Sequence, residues 1–436
     1  MANHNRRRFL QVTATGGVGA GLAGLGATLA LAGCTTAPAA PRPIGRVVVI
    51  GGGFGGATAA KYLRMWSGGA IEVILVERNS RFVSCPVSNL VLGGSKSMMD
   101  LTRDYGALAA HGVQIRHEEA SGIDPLKKVV RFRSGLADLG YDRLIVSPGV
   151  DFMFDQIEGL TPDAQKIALH AWKAGPDTVA LRRQLEAMPD GGVYVLSIPR
   201  APYRCPPGPY ERACQVAHYF RQAKPRSKII ILDANEDIVS KGPLFRAAWK
   251  DLYGGIIEYR GANEVKAVNV ATNTVRTDFE SIRGDVLNVL PPMRAAEIAR
   301  ATGLVNANNR WCSVDWLSME STAHKNIHVL GDATLSAPAM PKSGHMANEH
   351  GKLAAAAIIE LMNGGQPSAT PMISNTCYSF VSDREAIHVA SVHRYDAAQK
   401  TLVTVPGSGG VSAQRSELEG AYANAWAQNI WSDMLG

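Results

Sequence analysis

The chain has 436 residues, of which 46% are hydrophobic and 19% charged, with a formal net charge of +7. That length exceeds one ordinary core and predicts a globular protein of two or three domains. Three of the positive charges, Arg6, Arg7 and Arg8, fall in a segment expected to be removed; the mild excess left has no polybasic run, which argues against nucleic acid as a partner and suits small anions or an acidic protein surface.

The N-terminus reads as an export signal. Asn5-Arg6-Arg7-Arg8-Phe9-Leu10-Gln11 precedes a Gly/Ala-rich apolar stretch from Val12 to Gly33, and paired arginines followed by Phe-Leu suggest the twin-arginine route. Two processing sites compete: Ala37-Pro38-Ala39, and a lipobox-like Leu31-Ala32-Gly33-Cys34 in which Cys34 would be lipidated. Either way the mature protein is expected in the periplasm, with membrane contact only if Cys34 carries lipid. Thr35 to Pro43, rich in Pro and Ala, is expected as a linker.

The first chemical motif follows. Val47-Val48-Val49-Ile50 is a β-branched run expected as a buried strand, and it breaks into Gly51-x-Gly53-x-x-Gly56 with Phe54 inside the turn. Gly51 suits the tight turn, Gly53 lets backbone approach a pyrophosphate, and Gly56 lets strand and helix pack closely. A helix over Ala57 to Trp66 would aim its free N–H groups at phosphates. A second strand, Ile71 to Val76, ends in Glu77, 21 residues after Gly56, where an acid bonds a ribose hydroxyl. These features predict a dinucleotide site.

Arg78 to Pro86 is expected as a loop returning past the cofactor. Asp104 to His117 reads as a helix and Val129 to Phe132 as an edge strand. Tyr141 to Val146 is a strand ending in the small-residue turn Ser147-Pro148-Gly149. A second strand–helix–strand unit runs through Val193–Ile198, Glu211–Arg221 and Lys228–Asp233. Its first strand leads into Pro199-Arg200-Ala201-Pro202-Tyr203-Arg204-Cys205-Pro206-Pro207-Gly208-Pro209 rather than a second Gly-rich turn. Proline offers no N–H and its ring blocks a phosphate, so this unit is expected to keep the fold and lose the nucleotide, with Asp233 a structural echo of a ribose-binding acid.

Asp285 to Leu290 and Asn326 to Leu330 read as strands, the latter ending in Gly331-Asp332, an acid placed for the ribityl chain of FAD. Pro341-Lys342 opens an Ala-rich helix from Ser343 to Met362, where Lys342 could stabilise a reduced flavin. The tail from Asn375 to Gly436 reads as a smaller α+β domain, with a strand over Ala386 to Val392. Its stretch Ala423 to Trp431 looks short and only weakly amphipathic.

Six cysteines, Cys34, Cys85, Cys205, Cys214, Cys312 and Cys377, form neither C-x-x-C nor C-x-x-C-H. That argues against a zinc ribbon, a thioredoxin site or a haem attached to this chain, and no metal site is expected. Leaving out Cys34 and Cys85, three disulfide pairings are open.

The segments Cys85-Pro86-Val87-Ser88-Asn89-Leu90, His170-Ala171-Trp172-Lys173, Tyr203-Arg204-Cys205-Pro206-Pro207-Gly208-Pro209-Tyr210-Glu211-Arg212 and Asn375-Thr376-Cys377-Tyr378 resemble the flavoprotein subunit of flavocytochrome c sulfide dehydrogenase. So do Gly331-Asp332 and Pro341-Lys342-Ser343-Gly344. The resemblance implies an α/β fold like that of glutathione reductase and sulfide:quinone reductases. Two Rossmann-like domains are expected, an FAD domain over 44–155 and 291–374 and a second over 156–290 without a phosphate loop, followed by a small α+β domain over 375–436, with 1–40 as signal and linker. It implies FAD held by Gly51, Gly53, Phe54, Gly56, Glu77, Arg78, Pro148, Gly149, Gly331, Asp332 and Lys342, and bonded covalently through Cys85. It makes Cys205 and Cys377 a redox pair beside the flavin and Glu211 a base near them; Arg204 would guide an anion or lower the Cys205 pKa. Cys312 is expected as a core thiol, and Cys214 as core or a rival partner for Cys205. The implied reaction is oxidation of hydrosulfide to zero-valent sulfur or polysulfide. Electrons would pass singly to a separate c-type cytochrome subunit in a heterodimer. A sulfide:quinone reductase-like activity and a non-catalytic FAD-binding partner stand as alternatives.

Overall fold

In the computed structural model of the chain, residues 43–436 are described. The segment expected as an export signal, with Arg6–Arg8, Cys34 and Ala37-Pro38-Ala39, lies outside them.

A run of consecutive apolar residues belongs inside a parallel sheet covered on both faces. Val47 to Ile50 of the strand Gly45–Ile50 meets that condition: Val47, Val48 and Val49 are fully buried, and the strand pairs in parallel with Ile71–Val76 on one side and Arg143–Val146 on the other. The seven-stranded sheet runs Val314–Asp315, Glu320–Ser321, Ile327–Val329, Arg143–Val146, Gly45–Ile50, Ile71–Val76, Gln114–Arg116. Its members thus come from both sides of an intervening unit. The helices Phe54–Trp66 and Gly344–Met362 lie together on this sheet, joined by Asn348, whose amide donates to Thr58 Oγ1 at 2.8 Å.

The intervening unit is a four-stranded parallel sheet in the order Ile257–Arg260, Lys228–Asp233, Val193–Ile198, Val286–Val289, with the helix Gly208–Ala223 as its first crossover. Asp233 is fully buried and accepts from Tyr210 Oη (2.6 Å), Tyr259 Oη (3.0 Å) and the Asn235 N–H (2.9 Å). Its carboxylate is consumed inside the fold.

The C-terminal region pairs Met372–Phe380, Ala386–Asp396 and Thr401–Thr404 antiparallel and adds the helix Glu417–Leu435. Ser416 caps that helix by accepting from the Glu419 N–H. Its other end is closed by Lys61, whose ammonium donates to the carbonyls of Ser432 (3.0 Å) and Asp433 (2.9 Å), satisfying acceptors that a helix end leaves free. The segment Ala423 to Trp431 is therefore the middle of a 19-residue helix tied to the helix Phe54–Trp66. Among the described residues no helix is long and apolar enough to cross a membrane.

Two local expectations are corrected. Asp104 to His117 is helical only over Gly106–Ala110; Gly112, at φ +83°, turns the chain, and Gln114–Arg116 becomes an edge strand beside Ile74–Val76. Alanine propensity loses there to strand pairing over Val113-x-Ile115. Val129–Phe132 is the central strand of a three-stranded antiparallel sheet between Ala120–Asp124 and Leu139–Gly140. Two neighbours, not one, satisfy its backbone.

Candidate active site

A cavity of about 670 Å³ opens where the first sheet, the second unit and the C-terminal strands meet. Gly51, Gly53, Phe54, Glu77, Arg78, Pro148, Gly149, Gly331 and Asp332 line it, as do Cys85, Cys205, Glu211 and Cys377.

The glycine turn is shaped by contact. A Cβ on Gly56 would stand 1.9 Å from the Gly51 carbonyl oxygen, so Gly56 serves close approach of strand and helix and does not itself line the cavity. A Cβ on Gly53 would meet nothing within 4 Å; it faces an open cradle. Glu77 ends the second strand with Oε2 accepting from the Gly52 N–H at 2.7 Å and Oε1 from the Asn79 N–H at 2.8 Å. Phe54 packs edge-on against Phe82 with ring centroids 5.3 Å apart. Arg78 is mostly exposed at the rim, 3.8 Å from Glu119. Asp332 is the informative residue. Its Oδ1 is buried without a hydrogen-bond partner, and burial pushes its carboxyl up against the opposing charges of Arg204 and Lys342. A lone acceptor facing the cavity and an open glycine cradle fit a hydroxyl-bearing dinucleotide.

Lys342 departs from its expected place. It does not line the cavity. Its ammonium donates to the carbonyls of Asp332 (3.1 Å) and Thr334 and sits 3.8 Å from the centroid of the Trp311 ring. Burial draws its pKa down to about 8. Two carbonyls and an indole face take up the charge beneath the Gly331-Asp332 turn, so Lys342 supports that turn from behind.

Into the same cavity Cys205 comes from the Pro-rich loop and Cys377 from the strand Met372–Phe380. Both are free thiols half-buried in one cavity wall, and burial pushes both pKa values up. Cys205 adopts φ +58°, a left-handed backbone that costs a non-glycine residue ~1–3 kcal/mol. Its N–H donates to the Lys342 carbonyl at 2.8 Å, which pins the loop. A Cβ on Gly208 would lie 2.8 Å from Cys205 Sγ and 2.7 Å from the Trp172 ring, so only glycine fits there. Cys377 points its thiol at Asn375 Oδ1, 3.5 Å away. Cys85 also lines the cavity as a free thiol, receiving the Ala174 N–H at 3.5 Å.

Glu211, in the first turn of its helix, is buried with Oε1 accepting from the Phe380 N–H (2.8 Å) and Oε2 from the Asn89 amide (2.8 Å). Burial raises its pKa, opposed by those hydrogen bonds and by Lys241 and Arg212. Arg212 is fully buried and donates to the carbonyls of His170 (2.8 Å) and Ala171 (2.6 Å). It thereby holds the loop that carries Trp172. Arg204 lines the cavity, and its guanidinium donates to the Trp172 carbonyl. Cys214 is fully buried under the Trp249 N–H (3.2 Å), and Cys312 is fully buried; neither lines the cavity.

Lys241 was not visible from the sequence. It precedes the helix Gly242–Tyr253, and its ammonium donates to the Cys377 carbonyl at 3.0 Å and to Ser379 Oγ at 2.8 Å. A lysine before Gly-Pro is an ordinary helix start, and nothing in that pattern points to a cysteine more than a hundred residues away.

The sheet order, the glycine cradle and the adjoining cavity define an FAD-binding flavoprotein of the pyridine nucleotide-disulphide oxidoreductase class, and the model of that class matches residues 45–186. Within it, the chain belongs to the flavoprotein family of flavocytochrome c sulfide dehydrogenase. The family model "Sulfide dehydrogenase [flavocytochrome c] flavoprotein chain, central" matches residues 178–291, and "Flavocytochrome c sulphide dehydrogenase, flavin-binding" matches 369–435. A flavoprotein chain of that name from Chlorobaculum thiosulfatiphilum is 61% identical over 46 residues, 11% of this chain and 94% of that sequence. The mitochondrial sulfide:quinone oxidoreductase of Dictyostelium discoideum is 22% identical over 66% of this chain, and the match spans only 65% of its own length. The sulfide:quinone oxidoreductase structure from Aquifex aeolicus superposes with a TM-score of 0.72 at 18% identity, covering 89% of this chain and 91% of that one, a likeness of fold.

Proposed function

We propose that this chain oxidises sulfide with FAD through the Cys205–Cys377 pair and passes the electrons to a c-type cytochrome subunit. The observation that carries the reading is the convergence of two sequence-distant thiols on the cavity that the glycine and Asp332 cradle also lines.

FAD supplies a two-electron acceptor that can release electrons singly. Gly51, Gly53 and the Phe54 helix start would hold its pyrophosphate, Glu77 a ribose and Asp332 the ribityl chain, with Cys85 placed to bond it covalently. The chain's own part is sulfur chemistry. With the pair resting as a disulfide, hydrosulfide attacks one sulfur; the Cys–Cys bond breaks, a persulfide forms on the attacked cysteine, and the electron pair leaves on the other as a thiolate. Arg204 lines the approach with positive charge. Glu211 shapes the wall by fixing the Phe380 N–H and Asn89, and its charge opposes a thiolate on either cysteine. Export by the twin-arginine route would deliver the folded, loaded protein to the periplasm, where a disulfide persists.

Cys205→Ser and Cys377→Ser should each abolish flavin reduction by sulfide in the purified protein; full reduction in both would sink the reading. The similarity to quinone-using relatives favours one second reading, electron transfer to quinone. Comparing reduction of cytochrome c and of a quinone analogue by the same preparation separates the two.

A further inference from the structure

Lys241 is a buried cation without a carboxylate partner. Only 7% of it is exposed, it lies in the left-handed region at φ +58°, and among the described residues it makes no ion pair. Its two hydrogen-bond partners, the Cys377 carbonyl and Ser379 Oγ, are neutral. A desolvated ammonium calls for an anion nearby. Two carboxylates in its surroundings are already engaged. Glu211 is held by Phe380 and Asn89, and Glu419 by His388 and Ser412 at 3.0 and 2.5 Å. The residue whose carbonyl it holds, Cys377, carries a thiol that meets only a neutral amide oxygen, Asn375 Oδ1 at 3.5 Å.

We propose that Lys241 is a positioning residue that holds Cys377 as the thiolate when the cysteine pair is open, which leaves Cys205 to carry the transferred sulfur. The inference rests on the redox-pair reading above. Hydrosulfide then bonds to Cys205 Sγ, the Cys205–Cys377 bond breaks, its electron pair goes to Cys377 Sγ, on the residue whose carbonyl holds the ammonium, and the proton stays on the terminal sulfur of the Cys205 persulfide. No further oxidant enters this step.

The surroundings of the two sulfurs differ in the required sense. Cys377 faces Lys241 from the Gly242–Tyr253 helix start, Asn375 on its own strand, Ser343 from the Gly344–Met362 helix cap, and Glu211 from the Gly208–Ala223 helix; after burial, the lysine is the main influence and favours the thiolate. Cys205 faces Cys377 and Glu211, which oppose a thiolate, with Arg204 and Lys241 favouring it. The Arg204 guanidinium is tied to the Trp172 carbonyl.

The test is the pH dependence of iodoacetamide alkylation, read by peptide mass spectrometry on full-length, FAD-loaded protein. In Cys205→Ser the Cys377 midpoint should lie below that of Cys205 measured in Cys377→Ser. Adding Lys241→Met to Cys205→Ser should slow Cys377 alkylation about tenfold at neutral pH, one unit of midpoint. Lys241→Arg should restore it, and Lys241→Met should shift Cys205 in the Cys377→Ser background by less than it shifts Cys377, because Arg204 also favours the Cys205 thiolate. A lower midpoint on Cys205 with Lys241 intact overturns the proposal, even where Lys241→Met fails to fold. An unchanged Cys377 midpoint in folded Lys241→Met overturns it too. Failure of the redox-pair reading is distinguishable, since the oxidised wild-type protein would then lack a Cys205–Cys377 disulfide by non-reducing mass spectrometry whatever the midpoints are.

Discussion

The side-chain amide of Asn89 donates to the Glu211 carboxylate at 2.8 Å, and both groups are buried. Asn89 also accepts from Arg212 Nε at 3.1 Å, so one short side chain satisfies two opposite charges. Replacing it with leucine leaves a buried acceptor and a buried donor unmet. Asn89→Leu should lose ~2–4 kcal/mol of stability, measured by urea unfolding, and should loosen the Trp172 loop that Arg212 holds.

Glu211 itself has a stability signature. Its folded pKa is raised, chiefly by burial, so over the window just above the ordinary carboxylate range the native state binds the proton more tightly than the unfolded chain. Stability contributed by that group is lost as pH rises through this window. Glu211→Gln should flatten the loss, as followed by unfolding midpoints across mildly acidic pH. An identical profile for both proteins would remove the buried carboxyl as its source.

Buried histidines act in the other direction. Burial lowers His170 and His350 to about 3 and His328 to about 4. All three are neutral in the fold, and the unfolded chain takes up protons at them below its ordinary value near 6.5. Stability should therefore fall as pH drops through 6.5 toward 4, by up to ~1.4 kcal/mol per pH unit for each histidine. His170→Gln should shed its share of that slope, measured by denaturant titration at several pH values.

Cys85→Ser should leave a folded protein whose FAD is released on denaturation, whereas the wild-type polypeptide should retain the mass of FAD. Intact-mass spectrometry under denaturing conditions reads both outcomes, and a flavin-free wild-type mass would end the covalent assignment.

Gly56→Ala places a Cβ against the Gly51 carbonyl at 1.9 Å. Strand and helix must separate, at a cost of ~1–3 kcal/mol or more. The variant should purify with little flavin, measured by absorbance at a fixed protein concentration.

The cradle was legible because its logic is local: Gly51 to Gly56 and Glu77 read out turn, helix and acid within one strand–helix–strand unit. The proline-rich loop was legible for the same reason. Lys342 was not, because a position at a helix start does not say which way the side chain turns, and Trp311 with two carbonyls turned it inward. Cys205 and Cys377 could be paired only by resemblance to a family, since no spacing rule connects a loop of one unit to a strand of another. Lys241 lay beyond both methods. The end of the helix at Ala110 could have been read from Gly112, whose positive φ breaks the pattern.

The clasp of Lys61 on the last helix ties the two sequence extremes of the described chain together around one cavity. One wall of the cavity is made by Gly51 to Val87 and another by Thr376 to Phe380, with Ala423 and Trp426 beyond them. Without the last helix, the cation on the first has no carbonyls to meet and the cavity lacks the wall that Ala423 and Trp426 supply. Closing the cavity consequently depends on a helix at the far end of the described chain from the glycine turn, so that loss of the last helix would open the flavin cradle although it removes none of the glycines.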